Sequence, residues 1–296
     1  MDIRVLRYFV AVVETKSVTA AAEALHITQP TLSRQFKELE DELGKKLFER
    51  GSRHITLTEA GELFYRRALM ILELFNNTKE EITAKNDEIS GTISIAMGES
   101  PVLNFLAKNL TEFKQKYSKV KFNIVSCNDD TMRYLLKTEN CDFGVAISAS
   151  EIGLNEYSYL TLPLKNSWGV LTRPESPLYD KEYITPSDLK GIPLLFSTQS
   201  LKNEEFRSWL NAPTSKLNIV CTYNLPQNAY MLAEANLADM VCLKDCMNLK
   251  QNSQMKFIPL KPALEASGFL VWKEQRTPSK AAVKLVEHLR NVLNKE

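Results

Sequence analysis

The sequence lacks any apolar run long enough to cross a membrane. Its longest apolar stretches, such as residues 8–13 and 268–272, fall far short of the roughly 20 residues that a membrane-spanning helix needs. The first residues, with Asp2 ahead of Arg4 and Arg7, are not typical of a signal peptide. We therefore expect a cytoplasmic protein with no membrane partner.

The chain also lacks an excess of charge of one sign and a disulfide framework. Its 296 residues carry 37 Lys and Arg against 36 Asp and Glu, which excludes a strongly basic coat, and the length predicts about two domains. The odd number of cysteines favours free thiols in a reducing compartment. They are Cys127, Cys141, Cys221, Cys242 and Cys246. Cys242 and Cys246, four residues apart, leave a metal or redox pair open, although the strand-like DMVCLKD favours a structural role.

Motifs of enzymes are missing as well. The three histidines, His26, His54 and His288, are scattered, and HExxH, GxSxG and Walker-type loops do not occur. The sequence therefore predicts no catalytic residues, no metal and no cofactor.

Proline is nearly absent from the first third of the chain, where only Pro30 occurs, and the other 11 of the 12 prolines follow. Residues 62–90 contain neither Gly nor Pro, and apolar positions recur there at spacings of four and three. These positions are Phe64, Ala68, Ile71, Phe75, Thr78 and Ile82. We expect a linker helix over residues 59–88. Its apolar stripe favours a helix-to-helix interface with a second chain over packing against its own domain.

After Gly91 short apolar strands alternate with helical stretches. Strands are predicted near residues 92–97, 120–124, 143–147, 168–171, 192–196, 217–221, 240–243 and 269–272. This rhythm predicts an α/β fold with a largely parallel sheet, either whole or split in two.

Residues 1–58 instead predict three helices and two short strands. The first helix has an apolar stripe of Leu6, Phe9, Val10 and Val13, and either Ser17 or Thr19 can cap the second. In the third helix Thr28 is the expected N-cap, Pro30 falls in the first turn and Gly44 ends the helix. The positions that would be buried there are Leu32, Phe36, Leu39 and Leu43.

The polar face of this third helix suits a duplex groove, because its first turns can reach base edges while the cations meet phosphate. The residues predicted to contact DNA are Gln29, Pro30, Thr31, Ser33, Arg34 and Lys37. A solvated helix face would be the usual interpretation of such a stretch alone. Two strands around a Gly turn with Arg50 and Arg53 add a wing, however, and this context favours DNA binding.

These residues carry a resemblance to a known family. The run AAEALHITQPTLSRQFKELEDELGKKLFER, followed by ITLTEAG, resembles the N-terminal region of LysR-type transcriptional regulators from Leu6 to about Ala84. Beyond residue 90 the pieces GTISIAMG, CDFGVAIS and DLKGIPLL occur in the order of that family's effector domain. Two departures concern the effector pocket: Asn140 replaces a usual Gly, and NLADMVCLKD replaces a Gly-rich stretch ending in Pro.

The resemblance implies a winged helix-turn-helix over residues 1–58, the linker helix over 59–88 and an effector domain over 89–296. That domain would have two α/β lobes resembling periplasmic solute-binding proteins. Lobe I would comprise about 89–160 and 267–296, and lobe II about 161–266. The implied partners are double-stranded DNA with an interrupted inverted repeat, a small-molecule effector, further copies of the chain as a homodimer or homotetramer, and RNA polymerase.

The effector would bind between the lobes, where strand carboxyl ends and helix N-termini meet. Ser100 is the expected N-cap of a helix with Pro101 in its first turn, and free backbone N–H groups there would favour a carboxylate or similar oxygen ligand. The predicted ligand-binding residues are Ser100, Pro101, Ser148, Ser197, Thr198 and Asn224. Glu99 would repel a simple anion, which leaves an amphoteric or cationic ligand open.

The rival interpretation is a metabolite-binding enzyme or solute-binding protein on residues 91–296 with an appended helical module. Its candidate groups, Cys127, Asp142 and Glu99, come without a spaced histidine partner.

Overall fold

The chain divides into two units, Met1–Asn86 and Asp87–Glu296. The computed structural model describes residues 2–50, 55–83, 89–147, 156–247, 253–274 and 278–294. The finer boundaries expected for the winged module, the linker and the lobes stay predictions.

Three capped helices open the first unit: α1 (Ile3–Thr15), α2 (Val18–Ala24) and α3 (Gln29–Leu43). The side chains of Asp2, Ser17 and Thr28 each accept a hydrogen bond from a backbone N–H of the helix that follows. Thr28 is thus confirmed as a cap, and Ser17 rather than Thr19 caps α2. Gly44 ends α3 with φ +63°, in the left-handed region that favours glycine.

One aromatic side chain joins most of this unit. The ring of Phe9 on α1 lies 4.8 Å from that of Phe48, 4.9 Å from that of Phe64 and 6.1 Å from that of Phe36, centroid to centroid. Phe9 is fully buried, so helices α1 and α3 share one core with the strand and the helix that follow them.

Two details of the predicted core are wrong. The buried stripe of α1 is Val5, Leu6, Phe9 and Val12. Val10 and Val13 lie one position further round the helix and are only half-buried, although Val13 still packs against the edge of this core. Leu43 is 43% exposed, because it stands in the last turn of α3, where the helix ends at Gly44 and the chain changes direction.

Strands β1 (Phe48–Arg50) and β2 (Ile55–Leu57) pair antiparallel, with Phe48 opposite Leu57. Helix α4 (Glu59–Thr83) follows directly. A Cβ atom at Gly61 would lie 2.0 Å from the carbonyl oxygen of Leu47, so only glycine lets α4 start this close to the strand. The described helix ends at Thr83, and residues 84–88 of the expected linker lie outside the described residues.

The second unit is built on a mixed sheet. Its strands are β3 (Gly91–Met97), β4 (Val120–Ser126), β5 (Phe143–Ala146), β6 (Tyr157–Thr172), β7 (Pro193–Ser197), β8 (Asn218–Tyr223), β9 (Asp239–Leu243), β10 (Lys256–Pro259) and β11 (Glu265–Lys273). They lie in the order β4-β3-β5-β11-β6-β9-β7-β8, and β10 pairs with β6.

The expectation of a largely parallel sheet is wrong in the middle of this order. Strands β4, β3 and β5 are parallel, and so are β9, β7 and β8, but β6 and β11 run antiparallel to each other and to their other neighbours. These two long strands connect two parallel halves, because the chain leaves the first half along β6 and returns along β11. We call the half around β3 the first half and the half around β7 the second half.

Helices cover both faces of each half. In the first half α5 (Val102–Lys116) and α9 (Lys280–Leu293) pack on one face and α6 (Asp129–Lys137) on the other. In the second half α7 (Glu204–Leu210) and α8 (Pro226–Glu234) take the two faces. Each half therefore has its own core, and the strand ends between the halves are left to form a cleft.

Candidate functional site

Helix α3 presents a polar face to solvent. Gln29, Pro30, Thr31, Arg34 and Lys37 are exposed and Ser33 is half-buried. Burial of Leu32, Phe36 and Leu39 on the opposite side fixes this orientation. The amide Nε2 of Gln29 donates to Ser33 Oγ at 2.9 Å, so the first turns already hold these side chains together.

The charged side chains of α3 differ in exposure, and one of the acids that the sequence places there is mostly buried. Arg34 Nε donates to Glu38 Oε1 at 2.8 Å, and the Arg34 side chain is 80% exposed. Glu40 instead turns inward, with a side chain only 10% exposed. An exposed pair such as Arg34–Glu38 is held weakly, so Arg34 can exchange its partner for another anion.

Glu40 ties the start of the wing to α3. Its carboxylate accepts hydrogen bonds from Leu47 N at 2.7 Å, Phe48 N at 3.3 Å and Lys46 Nζ at 2.8 Å. Burial alone would raise the pKa of Glu40, but these three donors outweigh burial and lower the pKa. Arg50 ends β1, and the backbone there pairs with Ile55, whereas Arg53 lies outside the described residues.

A second candidate site is a cavity of about 100 Å³ between the two halves of the second unit. It lies where β3, β7 and β8 end. Ser100, Ser197 and Asn224 line it, as the strand-end rule predicts. Pro101 and Thr198 are not among its lining residues, and Ser148 lies outside the described residues.

Ser100 does not cap α5, which corrects the sequence expectation. The residue at the cap position is Pro101, and no side chain caps the helix. The amides of Leu103 and Asn104 donate instead to the carbonyls of Ser100 and Pro101, at 3.1 and 3.0 Å. The start of α5 therefore has fewer free N–H groups than predicted, and the Ser100 hydroxyl is available for another partner.

Two polar atoms on this lining are buried without a partner among the described residues. They are Ser100 Oγ, on a residue only 8% exposed, and Gln199 Nε2. A buried polar group without a hydrogen bond costs roughly 1–3 kcal/mol. These two atoms therefore favour occupation of the cavity by a polar group.

Two contacts join the halves across the cleft. Glu99, after β3, accepts a hydrogen bond on Oε2 from Gln227 N in the first turn of α8 at 3.0 Å. Lys202, after β7, lies 2.9 Å from Asp130 in the first turn of α6. Both contacts link the end of a strand in one half to a helix start in the other.

The cleft also contains residues that the sequence did not single out as ligand contacts. They include Asn128, Asp129, Trp168, Gln199 and Cys242. Asn128 and Asp129 come two and three residues after the end of β4, so the strand-end rule could have found them. Trp168 and Cys242 reach the cleft from within strands, and no local signal marks them.

The cysteine pair lies at this cleft as well. A hydrogen bond with the Cys246 thiol, together with burial, raises the pKa of Cys242 well above its ordinary value. Burial and the nearby Asp129 also raise the pKa of Cys127. Thiols in such surroundings are poor nucleophiles and poor metal ligands, and the described ranges contain no group of three or more side chains that could hold a metal.

The other groups of the rival enzyme interpretation have structural partners. Asp142 Oδ2 accepts a hydrogen bond from Ser94 N at 2.8 Å, and Glu99 binds the start of α8. Neither is placed beside a histidine in the described cleft.

Two family models match the chain. "Bacterial regulatory helix-turn-helix protein, lysR family" matches residues 3–62, and "LysR substrate binding domain" matches residues 86–294. The chain belongs to the LysR family of DNA-binding transcriptional regulators with a substrate-binding domain. The predicted family, the predicted fold class and the predicted class of function are thereby confirmed.

Curated relatives carry similar descriptions. The HTH-type transcriptional regulator BsdA of Bacillus subtilis (strain 168) is 38% identical over 146 residues, which are 49% of this chain and 50% of that protein. The regulator AlsR of the same organism is 32% identical over 66% of this chain and 64% of that protein. The match thus spans about half the length of BsdA and somewhat more of AlsR.

Solved structures share the fold across the whole chain. Full-length CbnR in complex with its target DNA has a TM-score of 0.75 at 20% identity, covering 98% of this chain and 99% of that chain. HinK, a LysR family regulator from Pseudomonas aeruginosa, has a TM-score of 0.54 at 20% identity, covering 100% and 99%. At these identities the likeness shows the fold alone. No helix in the described ranges is long and apolar enough to cross a membrane.

Proposed function

We propose that this protein is a sequence-specific regulator of transcription that acts in the cytoplasm without catalysing a reaction. In this proposal α3 binds one half of an interrupted inverted repeat, α4 pairs two chains, and a small molecule between the two halves of the second unit controls the output. RNA polymerase is the partner through which such a regulator would act.

The exposed face of α3 is the main support for DNA binding. Short amide and hydroxyl side chains occupy its first turn, and Arg34 and Lys37 follow one and two turns later. The first group can reach base edges in a major groove while the cations meet phosphate oxygens. Because Arg34 is held only by an exposed pair with Glu38, binding to phosphate costs little at that position.

The observation that favours pairing of chains is the uncovered apolar surface of α4. Leu74 is 65% exposed, Ile82 is 77% exposed, and Ile71 and Phe75 are each 42% exposed. A row of large apolar side chains on one helix is typical of an interface. A second copy of the same helix would cover it with like residues, as in a two-fold symmetric dimer.

The effector site follows from the cavity between the halves. Its lining combines Trp168, Leu243 and Ala266 with several hydroxyl and amide groups, which is the usual composition of a small-molecule site. The unpartnered Ser100 Oγ supplies the specific reason to expect a polar ligand there.

A binding assay with the full chain separates this proposal from an enzyme. Fluorescence anisotropy with labelled duplexes that tile the DNA upstream of its own gene should reveal one duplex bound at least about tenfold more tightly than the others. A turnover screen run on the same preparation should give no product above the rate without protein. Equal affinity for every duplex, or turnover without DNA preference, would contradict the proposal.

A further inference from the structure

The charge of the cleft restricts what it can bind. Within the described residues, the charged side chains that line the cavity are the acids Glu99 and Asp129, and no lysine or arginine lines it. Lys202, which follows β7 in the opposite half, is paired with Asp130, and neither of these two residues lines the cavity. An anionic ligand would therefore meet two carboxylates and no compensating charge.

Helix N-termini, which could otherwise bind an anion, are already partly occupied around the cleft. The Glu99 carboxylate accepts the Gln227 amide at the start of α8. The Asn128 side chain accepts the Thr131 amide at the start of α6. At α5 the first amides donate to the carbonyls of Ser100 and Pro101. Each of these three helix starts therefore already uses at least one of its first N–H groups in a bond within the protein.

The two acids of the lining, Glu99 and Asp129, can still bind a cation. Glu99 uses only Oε2 for Gln227, so Oε1 is left for the cavity. Two buried atoms of the lining, Ser100 Oγ and Gln199 Nε2, have no partner among the described residues. They can form hydrogen bonds with an uncharged group of the ligand. Because an amide nitrogen is a donor only, Gln199 requires an acceptor on the ligand.

We infer that the ligand of this cleft carries a protonated amine, which faces Glu99 and Asp129, and a hydrogen-bond acceptor, which faces Ser100 and Gln199. This inference rests on the proposed effector site and names its ligand class. Small amines with a hydroxyl, amide or carbonyl group fit this description. A simple carboxylate does not fit.

Three two-carbon probes test the inference because they share a hydroxyl group and differ in charge. They are ethanolamine, which carries an ammonium group, ethylene glycol, which is neutral, and glycolate, which carries a carboxylate. The dissociation constant of each for the full chain can be measured by NMR titration. We expect ethanolamine to bind at least about tenfold more tightly than glycolate, with ethylene glycol between them.

Variants locate the two ends of the ligand. The double substitution Glu99→Gln and Asp129→Asn should abolish the preference for ethanolamine, while the amide oxygen introduced at position 99 can still accept from the backbone N–H of Gln227. Ser100→Ala should weaken ethanolamine and ethylene glycol by a similar factor, since it removes a contact to the shared hydroxyl. Glu112→Gln, an exposed acid on α5 away from the cavity, is the matched control and should change nothing.

The outcomes separate this inference from the proposed function. If glycolate binds as tightly as ethanolamine and Ser100→Ala weakens both, the cleft binds small molecules, as the proposed function requires, but the ligand class is wrong. A preference for ethanolamine that survives the double acid variant places the amine elsewhere and overturns the inference. Absence of binding by all three probes also overturns it, and DNA binding by the same preparation would then show that the regulatory proposal stands without it.

Discussion

At the scale of single residues, the exposed face of α3 divides into two chemical groups. Gln29, Thr31 and Ser33 carry short polar side chains that can distinguish bases, whereas Arg34 and Lys37 carry charge that any duplex attracts. Truncation of a side chain in either group should therefore change a different property of DNA binding.

We expect Arg34→Ala and Lys37→Ala to weaken binding to all duplexes and to lower the slope of log affinity against log salt by about 1 each. Gln29→Ala, Thr31→Ala or Ser33→Ala should instead change the preference among sequences, by about 1–3 kcal/mol for each lost base contact. Anisotropy titrations at several salt concentrations measure both effects.

The control is Lys108→Ala, which removes an exposed cation on α5 in the other unit. It should leave the affinity and the salt slope unchanged. An unchanged slope for Arg34→Ala would show that α3 is not the helix that contacts phosphate.

A second prediction at this scale concerns acid stability. Burial would raise the pKa of Asp188, but hydrogen bonds from Lys181 and from the hydroxyl and amide of Thr185 lower it to about 2. Because the folded pKa lies below the ordinary 3.8, the stabilisation is complete above about pH 5 and is lost as the pH falls toward 2.

Asp188→Asn should therefore lower the free energy of unfolding by about 2 kcal/mol at pH 7 and by progressively less below about pH 4. Urea unfolding of both proteins across this range gives the difference. Asp180→Asn, at an exposed neighbouring acid, serves as the control and should show no such trend. A constant difference at every pH would rule out the proposed role of the Asp188 charge.

The sequence predicts that Ser100 lines the cleft, which is correct, and that it caps α5, which is wrong. Its position before Pro101 predicts a cap, yet the helix begins one residue later, and Ser100 lines the cleft with a hydroxyl that has no partner among the described residues. The environment that decides this comes from Gln199 and other residues of the opposite half, about 100 positions away in the chain. Local spacing carries no information about such a contact. Thr28 could be predicted because its partner, Thr31 N, is three residues away.

At the scale of elements, most of α4 could be predicted from the absence of Gly and Pro after residue 61, whereas β6 could be predicted only near its end, at residues 168–171. β6 contains Pro163, which normally argues against a strand interior because it lacks an N–H. The register with β11 passes from Leu162 opposite Gly268 to Lys165 opposite Ser267, so Pro163 falls in an irregularity where that N–H is not needed. Only the pairing partner makes this proline acceptable.

The apolar surface of α4 gives the prediction at this scale. Ile71→Glu should convert dimers into monomers and weaken binding to an inverted repeat by at least about tenfold, because a buried charge without a partner would stand in the interface. Light scattering gives the mass and anisotropy the affinity.

Asn76→Glu is the matched control, since residue 76 is exposed and lies about 140° around the helix from residue 71. It should preserve the dimer. Should Ile71→Glu keep the mass of a dimer, the interface must lie on another surface.

At the scale of the whole molecule, the fold of the first unit could be predicted from the sequence more completely than that of the second. The first unit depends largely on local features, such as capped helices and their apolar stripes, so its pattern could be predicted almost completely, although the core around Phe9 joins distant positions. The second unit depends on strands that cross between distant parts of the chain. Its alternation predicts the class of fold, but the order of the strands and the lining of the cleft arise from long-range pairing.

Footprinting of the full chain on its own upstream DNA shows whether two copies of α3 bind the two halves of an inverted repeat. We expect two protected half-sites related by inversion, with centres separated by a whole number of helical turns, or about 10–10.5 base pairs per turn. The double variant Arg34→Ala and Lys37→Ala should lose both footprints together. A single protected site without symmetry, or protection that this variant retains, would rule out binding of an inverted repeat by two copies of α3.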